Sequence, residues 1–428
     1  MNGEKTSQIR WLLIFWLFVL SAVAFLDRVN ISIAGTLLAN DYHLSKIQLG
    51  WIFSSFLAGY ALFQTPGGRL ADRLGSRSVL ALGVVWWGVF TALTAAVPVQ
   101  FASALFSFMG VRFALGAGEA VIYPASNQFV ARWIPGSERG LANGLIFSGV
   151  GVGAGLTPPF ITYLMLKHGW RSSFLVCAVL GLLAGLVWYL IARNFPQEHP
   201  LVSDRELARI QSGLSPSIEA NKRSLVSWGR MLESRDVLAT TLSYFTFGYV
   251  AWIFFSWFYI YLAEVRGLNL KASALYTMLP FIAMAVCSPL GGILSDVITR
   301  SKGARAGRCG VAVFAMILAA IFLVLGSSAG NARVAVLVLA GGAGALYLSQ
   351  SSFWSVSADI GGASSGSVSG FMNMGNQIGG MITASLTPWI ASRLGWKAPF
   401  FVAAALCLGG AAAWLFVDPR NRLDSANT

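Results

Sequence analysis

Long apolar runs dominate this chain and leave few folds open to it. Hydropathy marks twelve of them, at 11–38, 47–70, 78–98, 101–130, 139–166, 171–193, 236–264, 271–298, 308–328, 332–357, 365–390 and 395–417. Most reach the roughly 20 residues with which an α-helix crosses a bilayer. Strands of a membrane β-barrel are about ten residues long and alternate in polarity, whereas these runs are continuously apolar. The predicted fold class is therefore an all-α membrane protein with twelve transmembrane helices.

Composition agrees with a membrane protein and argues against several other classes. Only 11% of the 428 residues are charged, against roughly 25% in a soluble globular protein. The chain has no GxxxxGK[ST] loop, no HExxH motif and no CxxC pair, so we expect neither an enzyme nor a metal site nor an organic cofactor. Topology signals and contact with anionic lipid account for the net charge of +13, so no nucleic-acid partner is expected.

Basic residues in the short loops predict the orientation of the chain. One set of loops carries the larger share, including Arg73, Arg77, Arg132, Arg139 and a basic stretch within 194–235. The positive-inside rule assigns this set to the cytoplasm, and an even number of spans brings both termini to that side. We therefore expect a multi-pass monomer of the cell inner membrane with cytoplasmic termini.

The chain also shows an internal repeat, which divides it into two halves. The stretch GGRLADR at 67–73 recurs loosely as GGILSDV at 291–297, and LTPP at 156–159 recurs as LTPW at 386–389. We predict a six-helix bundle over 1–193, a linker over 194–235 with a short amphipathic helix, and a second six-helix bundle over 236–428. Transporters built from such repeats hold their substrate between the halves, near the middle of the membrane.

Four ionisable residues lie well inside the predicted spans, namely Asp27, Arg28, Arg112 and Glu119. A charge at that depth is costly and usually faces a cavity or a partner. Arg112 and Glu119 are seven residues apart and so share one face of their helix. Helical rise brings helices 1 and 4 to similar depths at these positions, so we expect the four groups to cluster.

Charge balance within this set suggests a chemistry. With both carboxylates ionised the four groups sum to zero, and each bound proton leaves one positive charge for an anion. Anion binding and proton binding therefore favour each other, as symport requires. An arginine suits the anion because its planar fork binds a carboxylate bidentately and stays charged. The alternative is a structural ion-pair network that braces helices 1 and 4.

The stretch GGRLADRLGSR at 67–77 resembles the loop between helices 2 and 3 of the major facilitator superfamily. The resemblance implies a conformational role for Gly68, Asp72, Arg73 and Arg77. Asp72 would then pair with helix ends and arginines at the cytoplasmic face and lock one conformation.

Other stretches carry a closer resemblance to one branch of that superfamily. They include FLDRVNISIA in helix 1, RFALGAGEAVIYPASNQFVARWIP in helix 4 and SGFMNMGNQIGG in helix 11. The chain is similar here to the anion:cation symporter family, which includes bacterial sugar-acid carriers, sialin and vesicular glutamate carriers. The resemblance implies that Asp27 and Glu119 are proton sites and that Arg28 and Arg112 act in carboxylate binding and coupling.

Positions matching the family supply further substrate-binding candidates. These are Tyr60 in helix 2, Ser351 and Trp354 in helix 10, and Asn373 in helix 11. Gln377 lies four residues beyond Asn373 on the same helix face, and polar amides in a Gly-rich span favour a cavity over lipid.

The sequence predicts proton-coupled symport of a small organic anion, a sugar acid or related carboxylate, by alternating access. Phe25 and Val150 replace polar residues of sugar-acid carriers and disfavour a heavily hydroxylated ligand, whereas Asn373, Gln377 and Ser351 favour one. The substrate therefore stays open. Two other functions remain possible at this point: an organic anion antiporter or exporter, and an anion pathway driven by membrane potential.

Overall fold

The computed structural model describes residues 7–44, 46–98, 103–214, 226–258, 261–267 and 270–423, and within them all regular secondary structure is helical. The first half holds α1 Ile9–Asp41, α2 Lys46–Leu74, α3 Ser76–Ala96, α4 Ala104–Glu119, α5 Ile122–Trp133, α6 Arg139–His168 and α7 Trp170–Ile191. Two short helices follow, α8 Asp204–Ser212 and α9 Trp228–Glu233. The second half holds α10 Arg235–Ser256, α11 Leu270–Lys302, α12 Val311–Ser328, α13 Ala332–Leu348, α14 Gln350–Gly361, α15 Ser365–Leu394 and α16 Lys397–Ala413.

Within the described residues, ten helical stretches are long and apolar enough to cross a membrane. The prediction of a multi-pass helical membrane protein is therefore confirmed, while the count of twelve and the side of the termini stay predictions. Many large apolar side chains on the outer surfaces of these helices are exposed, for example Leu166, Leu190 and Phe106. Such surfaces suit a hydrocarbon environment, because lipid tails are as apolar as leucine.

The helices pack in two groups that meet along two seams. Helices α1 to α7 pack mainly on one another, as do α10 to α16, while α6 packs along α11 and α2 along α15 between the groups. Glycines permit close approach at both seams. A Cβ built on Gly68 would lie 1.9 Å from the carbonyl oxygen of Gly366, and one on Gly292 would lie 2.1 Å from that of Gly140.

One helix in each half is broken at the same place in the repeat. The segment α4–α5 is interrupted at Ala120 and Val121, and the segment α13–α14 is interrupted at Ser349. The second part of each segment begins at Ile122 or Gln350, and these positions are separated by nearly the same interval as the sequence repeats. The broken helices therefore support the internal repeat read from the sequence.

The predicted linker contains α8, which is fixed to the start of α1. The Ser203 hydroxyl accepts a hydrogen bond from the Glu206 backbone N–H at 3.3 Å, as an N-cap does. The Glu206 carboxylate does not complete a capping box. It accepts hydrogen bonds from Arg10 Nη1 at 2.9 Å and from the Ile9 backbone N–H at 3.1 Å. Residues 215–225 of the linker lie outside the described residues.

Both seams are closed at the end of the bundle where Ile9 and Val417 lie, named the terminal face below. There the Asp72 carboxylate accepts hydrogen bonds from the backbone N–H groups of Gly366 and Ser367, at 2.9 and 2.8 Å. At the other seam the Asp296 carboxylate accepts from the N–H groups of Gly140 and Leu141, at 2.9 and 2.7 Å. Each carboxylate therefore caps the positive end of a helix from the opposite half.

The other residues of the loop motif take different positions. Arg73 is exposed, and the Arg77 Nε donates to the Tyr189 carbonyl at 3.0 Å. Gly68 lies at the seam between the halves. The Asp72 carboxylate thus meets the helix end that the family resemblance implied, and its locking role stays a prediction.

We expect Gly68→Ala to open the terminal face. Its added methyl group would overlap Gly366, and forcing a methyl into a packed contact costs about 1–3 kcal/mol, so the ratio of closed to open protein should fall about tenfold or more. The opening can be measured with Ser365→Cys, a buried seam position, in a background without the native cysteines. A thiol reagent labels this cysteine when the face opens. Gly110→Ala is the matched control, because a Cβ built there meets nothing within 4 Å. Unchanged labelling in Gly68→Ala would contradict the expectation.

Candidate functional site

A narrow cavity lies between the two halves, near the middle of the bundle. The first half contributes Phe25, Arg28, Tyr60, Tyr123, Phe147 and Val150 to its lining, and the second contributes Tyr244, Phe247, Ala251, Trp252, Phe255, Tyr347, Gln350, Asn373, Asn376 and Gln377. Its open volume is about 40 Å³, room for a few water molecules. Admitting an organic acid therefore requires the surrounding helices to separate.

Arg28 is the single charged residue that lines this cavity among the described residues. Its Nε donates to Glu119 Oε1 at 2.5 Å, and Glu119 is fully buried. The guanidinium carbon lies 4.2 Å from the ring centroid of Tyr60 and 4.7 Å from that of Phe25. These cation–π contacts and the ion pair fix a cation at the boundary between the halves.

The local fold of the broken helix positions Glu119. Helix α4 ends at Glu119, and the chain turns at Ala120 and Val121 before α5 begins. Glu119 Oε1 binds Arg28, while Oε2 has no hydrogen-bond partner among the described residues. Tyr123, four residues on, lines the cavity and pairs its hydroxyl with that of Ser21 at 2.9 Å.

Asp27 faces away from the cavity although it is the neighbour of Arg28. Its Oδ2 accepts hydrogen bonds from Trp87 Nε1 at 3.0 Å and from Thr91 Oγ1 at 2.8 Å, both on α3. Oδ1 has no hydrogen-bond partner among the described residues. Successive residues on a helix point about 100° apart, so the two charged neighbours meet different helices.

Arg112 is buried behind the cavity and does not line it. Its guanidinium carbon lies 4.8 Å from the centroid of Phe56. Its Nε and Nη1 have no hydrogen-bond acceptor among the described residues. Of the four charges expected to cluster, Arg28 and Glu119 form an ion pair. Asp27 and Arg112 are buried within electrostatic reach of each other and of that pair.

The secondary candidates divide into two groups. Tyr60, Asn373 and Gln377 line the cavity, whereas Ser351 and Trp354 do not. Trp354 stands behind the wall, where its Nε1 donates to the Tyr244 hydroxyl at 2.9 Å. Ser351 is fully buried outside the lining. In this conformation these two residues would not contact a substrate in the cavity. They would affect it only through the lining residues that they support.

Two glutamines at the cavity were not among the sequence candidates: Gln350 lines it, and Gln64 lies behind the lining residue Asn373. Gln350 Nε2 donates to the Tyr244 hydroxyl at 2.8 Å, which joins α14 to α10. Gln64 Oε1 accepts from Asn373 Nδ2 at 3.1 Å across the seam between the halves. The available signal for Gln64 was its spacing, four residues after Tyr60 on the same helix face.

Aromatic side chains from both halves meet at one side of the cavity. The rings of Phe25 and Phe255 lie 5.9 Å apart, and those of Phe255 and Phe281 lie 5.1 Å apart. Phe25 belongs to the first half and the other two belong to the second. The residue that the sequence singled out as a departure from sugar-acid carriers therefore contacts the opposite half.

Known proteins resemble this chain in sequence. Its sequence matches the family described as Major Facilitator Superfamily over residues 17–383 and 358–428. It is 33% identical over 405 residues to the Probable sulfoacetate transporter SauU of Cupriavidus necator, covering 94% of this chain and 92% of that one. It is 32% identical to the chloroplastic Ascorbate transporter of Arabidopsis thaliana, covering 97% of this chain and 76% of that one. It is 29% identical to the Hexuronate transporter of Bacillus subtilis, covering 94% of this chain and 92% of that one.

Solved structures agree on the fold. The proton:xylose symporter XylE superposes with a TM-score of 0.75 at 17% identity, covering 95% of this chain and 96% of that chain. FucP in its outward conformation gives a TM-score of 0.69 at 18% identity, covering 95% and 97%.

Proposed function

Because this chain belongs to the Major Facilitator Superfamily and is a transporter, we propose that it carries a small organic anion together with a proton. We place it in the cell inner membrane with both termini in the cytoplasm, as the distribution of basic loops indicates. The relatives are named as a probable sulfoacetate transporter, an ascorbate transporter and a hexuronate transporter, and an organic anion of that kind is the proposed substrate.

The observation that carries the proposal is the occupation of Arg28 by Glu119. Glu119 is fully buried within the first half, and its partner Arg28 faces the cavity between the halves. A substrate carboxylate entering the cavity would compete with Glu119 for the same guanidinium. Protonation of Glu119 removes its charge and releases Arg28 for the anion, so proton binding and anion binding reinforce each other.

Asp27 and Arg112 are proposed to support this exchange without contacting substrate. Asp27 lies one residue from Arg28, and its hydrogen bonds to Trp87 and Thr91 tie it to α3. A proton on Asp27 would alter these bonds and shift α1 against α3. Arg112 keeps a positive charge near both carboxylates, which favours arrival of an anion at the centre.

The second half offers neutral groups to the remainder of the substrate. Gln350, Asn373, Asn376 and Gln377 present amides to the cavity, and amides can both donate to and accept from hydroxyl groups. The aromatic lining offers flat apolar surface instead. In the proposed arrangement, the substrate carboxylate binds Arg28, and the hydroxylated or planar body of the substrate faces these groups. Sugar acids are the first class to test.

Transport would follow from rocking the two halves about this cavity. The structure is closed at the terminal face by Asp72 and Asp296, each capping a helix of the other half. Opening that face would require both carboxylates to leave their helix ends. The halves also touch beside the cavity, where the rings of Phe25 and Phe255 meet.

Uptake into proteoliposomes tests the proposal. The panel contains hexuronates, ascorbate, sulfoacetate, aromatic acids, sialic acid and short hydroxy acids, each with and without an inward proton gradient. We expect at least one acid to accumulate above its external concentration only when the gradient is present. Counterflow without a pH requirement would favour an antiporter, and uptake that follows voltage alone would favour a facilitative pathway. Either result, if no acid also accumulates under the proton gradient, would contradict symport.

A further inference from the structure

The two halves differ at one corner of the terminal face, although the repeat makes the corners equivalent. In the first half the corner joins the end of α2, the start of α3 and the end of α7. In the second it joins the end of α11, the segment Arg305–Gly310 before α12, and the segment Trp414–Phe416 after α16. Each corner has a glycine with positive φ, Gly75 at 84° and Gly303 at 90°, and a fully buried tryptophan, Trp188 and Trp414.

Protein atoms fill the corner of the first half. The Asn194 side chain packs on Gly75 so closely that a Cβ there would lie 2.3 Å from its Oδ1. The Trp188 indole N–H donates to the Arg77 carbonyl at 3.2 Å. Its ring meets Phe129 at 5.2 Å, just as the Trp414 ring meets Phe353 at 4.8 Å.

The corner of the second half is open. A Cβ built on Gly303 or on Gly310 meets nothing within 4 Å. The Trp414 indole N–H has no hydrogen-bond acceptor among the described residues. A pocket of about 610 Å³ occupies this corner, with Trp414, Leu415 and Val313 on its apolar side.

Cationic side chains surround the mouth of this corner pocket. Lys302, Arg305 and Arg420 line it. Two carboxylates lie near them. Arg420 binds Asp418 at 2.7 Å and holds the pKa of that carboxyl at about 2, so Asp418 is ionised at neutral pH. Asp236 accepts a hydrogen bond from the Asp418 backbone N–H at 2.6 Å. Three cations against two carboxylates leave a net positive charge at the mouth. Arg235, whose guanidinium carbon lies 4.6 Å from the centroid of the Phe416 ring, adds another cation beside it.

The corner pocket lies at the level where membrane and water meet. One candidate span begins at Arg305 and another ends at Phe416. Leu415 and Phe416 remain 62% and 54% exposed beside it, as expected for side chains in contact with lipid. A positive mouth above an apolar interior at this depth matches the headgroup and acyl chain of an acidic lipid.

We propose that the corner pocket binds an anionic phospholipid from the leaflet at the terminal face. Lys302, Arg305 and Arg420 bind the headgroup phosphate, and the apolar side packs against the upper part of an acyl chain. The corner of the first half does not bind lipid in this way, because Asn194 fills it and Trp188 already has its acceptor.

Native mass spectrometry of the delipidated protein with added lipid tests the proposal. We expect phosphatidylglycerol to remain bound where phosphatidylcholine of the same chain length does not. Lys302→Gln/Arg305→Gln/Arg420→Gln should weaken phosphatidylglycerol binding roughly a hundredfold, given the contribution of each basic side chain near an anionic membrane surface. Arg193→Gln/Arg205→Gln/Arg230→Gln removes equal charge elsewhere on the same face and should leave binding unchanged.

Two further arms separate the pocket from surface charge. Gly310→Phe fills the corner with every charge retained and should abolish retention of phosphatidylglycerol. Glycerol phosphate, which has the headgroup charge without acyl chains, should not displace the lipid. Equal retention of both lipids by the unmodified protein, equal loss in both triple variants, or displacement by glycerol phosphate would overturn the proposal.

Discussion

Glu119→Gln is expected to abolish proton-driven accumulation of substrate while exchange of substrate across the membrane continues. Glutamine has nearly the shape of a protonated glutamate and carries no charge, so Arg28 stays available to the anion. The variant can therefore bind and exchange substrate but cannot exchange a proton. In proteoliposomes we expect accumulation under an inward proton gradient to fall to the level without a gradient, with counterflow retained.

The matched control for this variant is Glu206→Gln. Glu206 is equally buried and pairs with Arg10 at 2.9 Å, but it lies at the terminal face, away from the cavity. Its substitution should leave the response to the proton gradient intact. If Glu119→Gln accumulated substrate as the unmodified protein does, Glu119 would not be the coupling group.

Asp27→Asn separates the roles of the two buried acids. We expect it too to lose proton-driven accumulation, but for another reason. Its partners are Trp87 and Thr91, so the substitution alters the hydrogen bonds that join α1 to α3 and not the occupancy of Arg28. Exchange should therefore be weaker in Asp27→Asn than in Glu119→Gln. Normal accumulation in both variants would exclude coupling through these carboxylates.

Arg28→Lys is expected to cause the second large effect, a loss of substrate binding. Lysine keeps the charge but cannot bind a carboxylate with two parallel N–H groups. Charge-assisted hydrogen bonds contribute about 1.5–3 kcal/mol each, so losing one should weaken substrate binding by about 10- to 100-fold. Equilibrium binding of the acid found in the uptake panel, measured in detergent, checks this without requiring transport.

Arg10→Lys is the control for Arg28→Lys. Arg10 is also buried and binds two carboxylates, Glu138 at 3.1 Å and Glu206 at 2.9 Å, but it does not line the cavity. The Arg10→Lys variant should bind the substrate with unchanged affinity even if its thermal stability falls. Full affinity in Arg28→Lys would show that the anion binds elsewhere.

The two seams at the terminal face share the carboxylate that the repeated loop motif predicts but differ in their other charged residues. The sequence repeat matched Asp72 with Asp296, and both carboxylates cap a helix of the opposite half. The two seams nonetheless differ. Asp296 is also bound by Arg308 at 2.6 Å, and Arg139 pairs with Asp359 across the same seam. No spacing in the sequence indicated that one seam holds an added network of charges.

The sequence by itself determined that this chain is helical and membrane-embedded, that it repeats, and that Asp27, Arg28, Arg112 and Glu119 are buried. These properties follow from the local composition of each run, because bilayer thickness sets the length of a span and lipid makes every buried charge costly. The tertiary structure alone decided which buried charges meet. Contact between Arg28 and Glu119, and the separation of Asp27 from Arg28, depend on how each helix is rotated and which neighbour it faces. That rotation is fixed by packing across the whole bundle, which no single run contains.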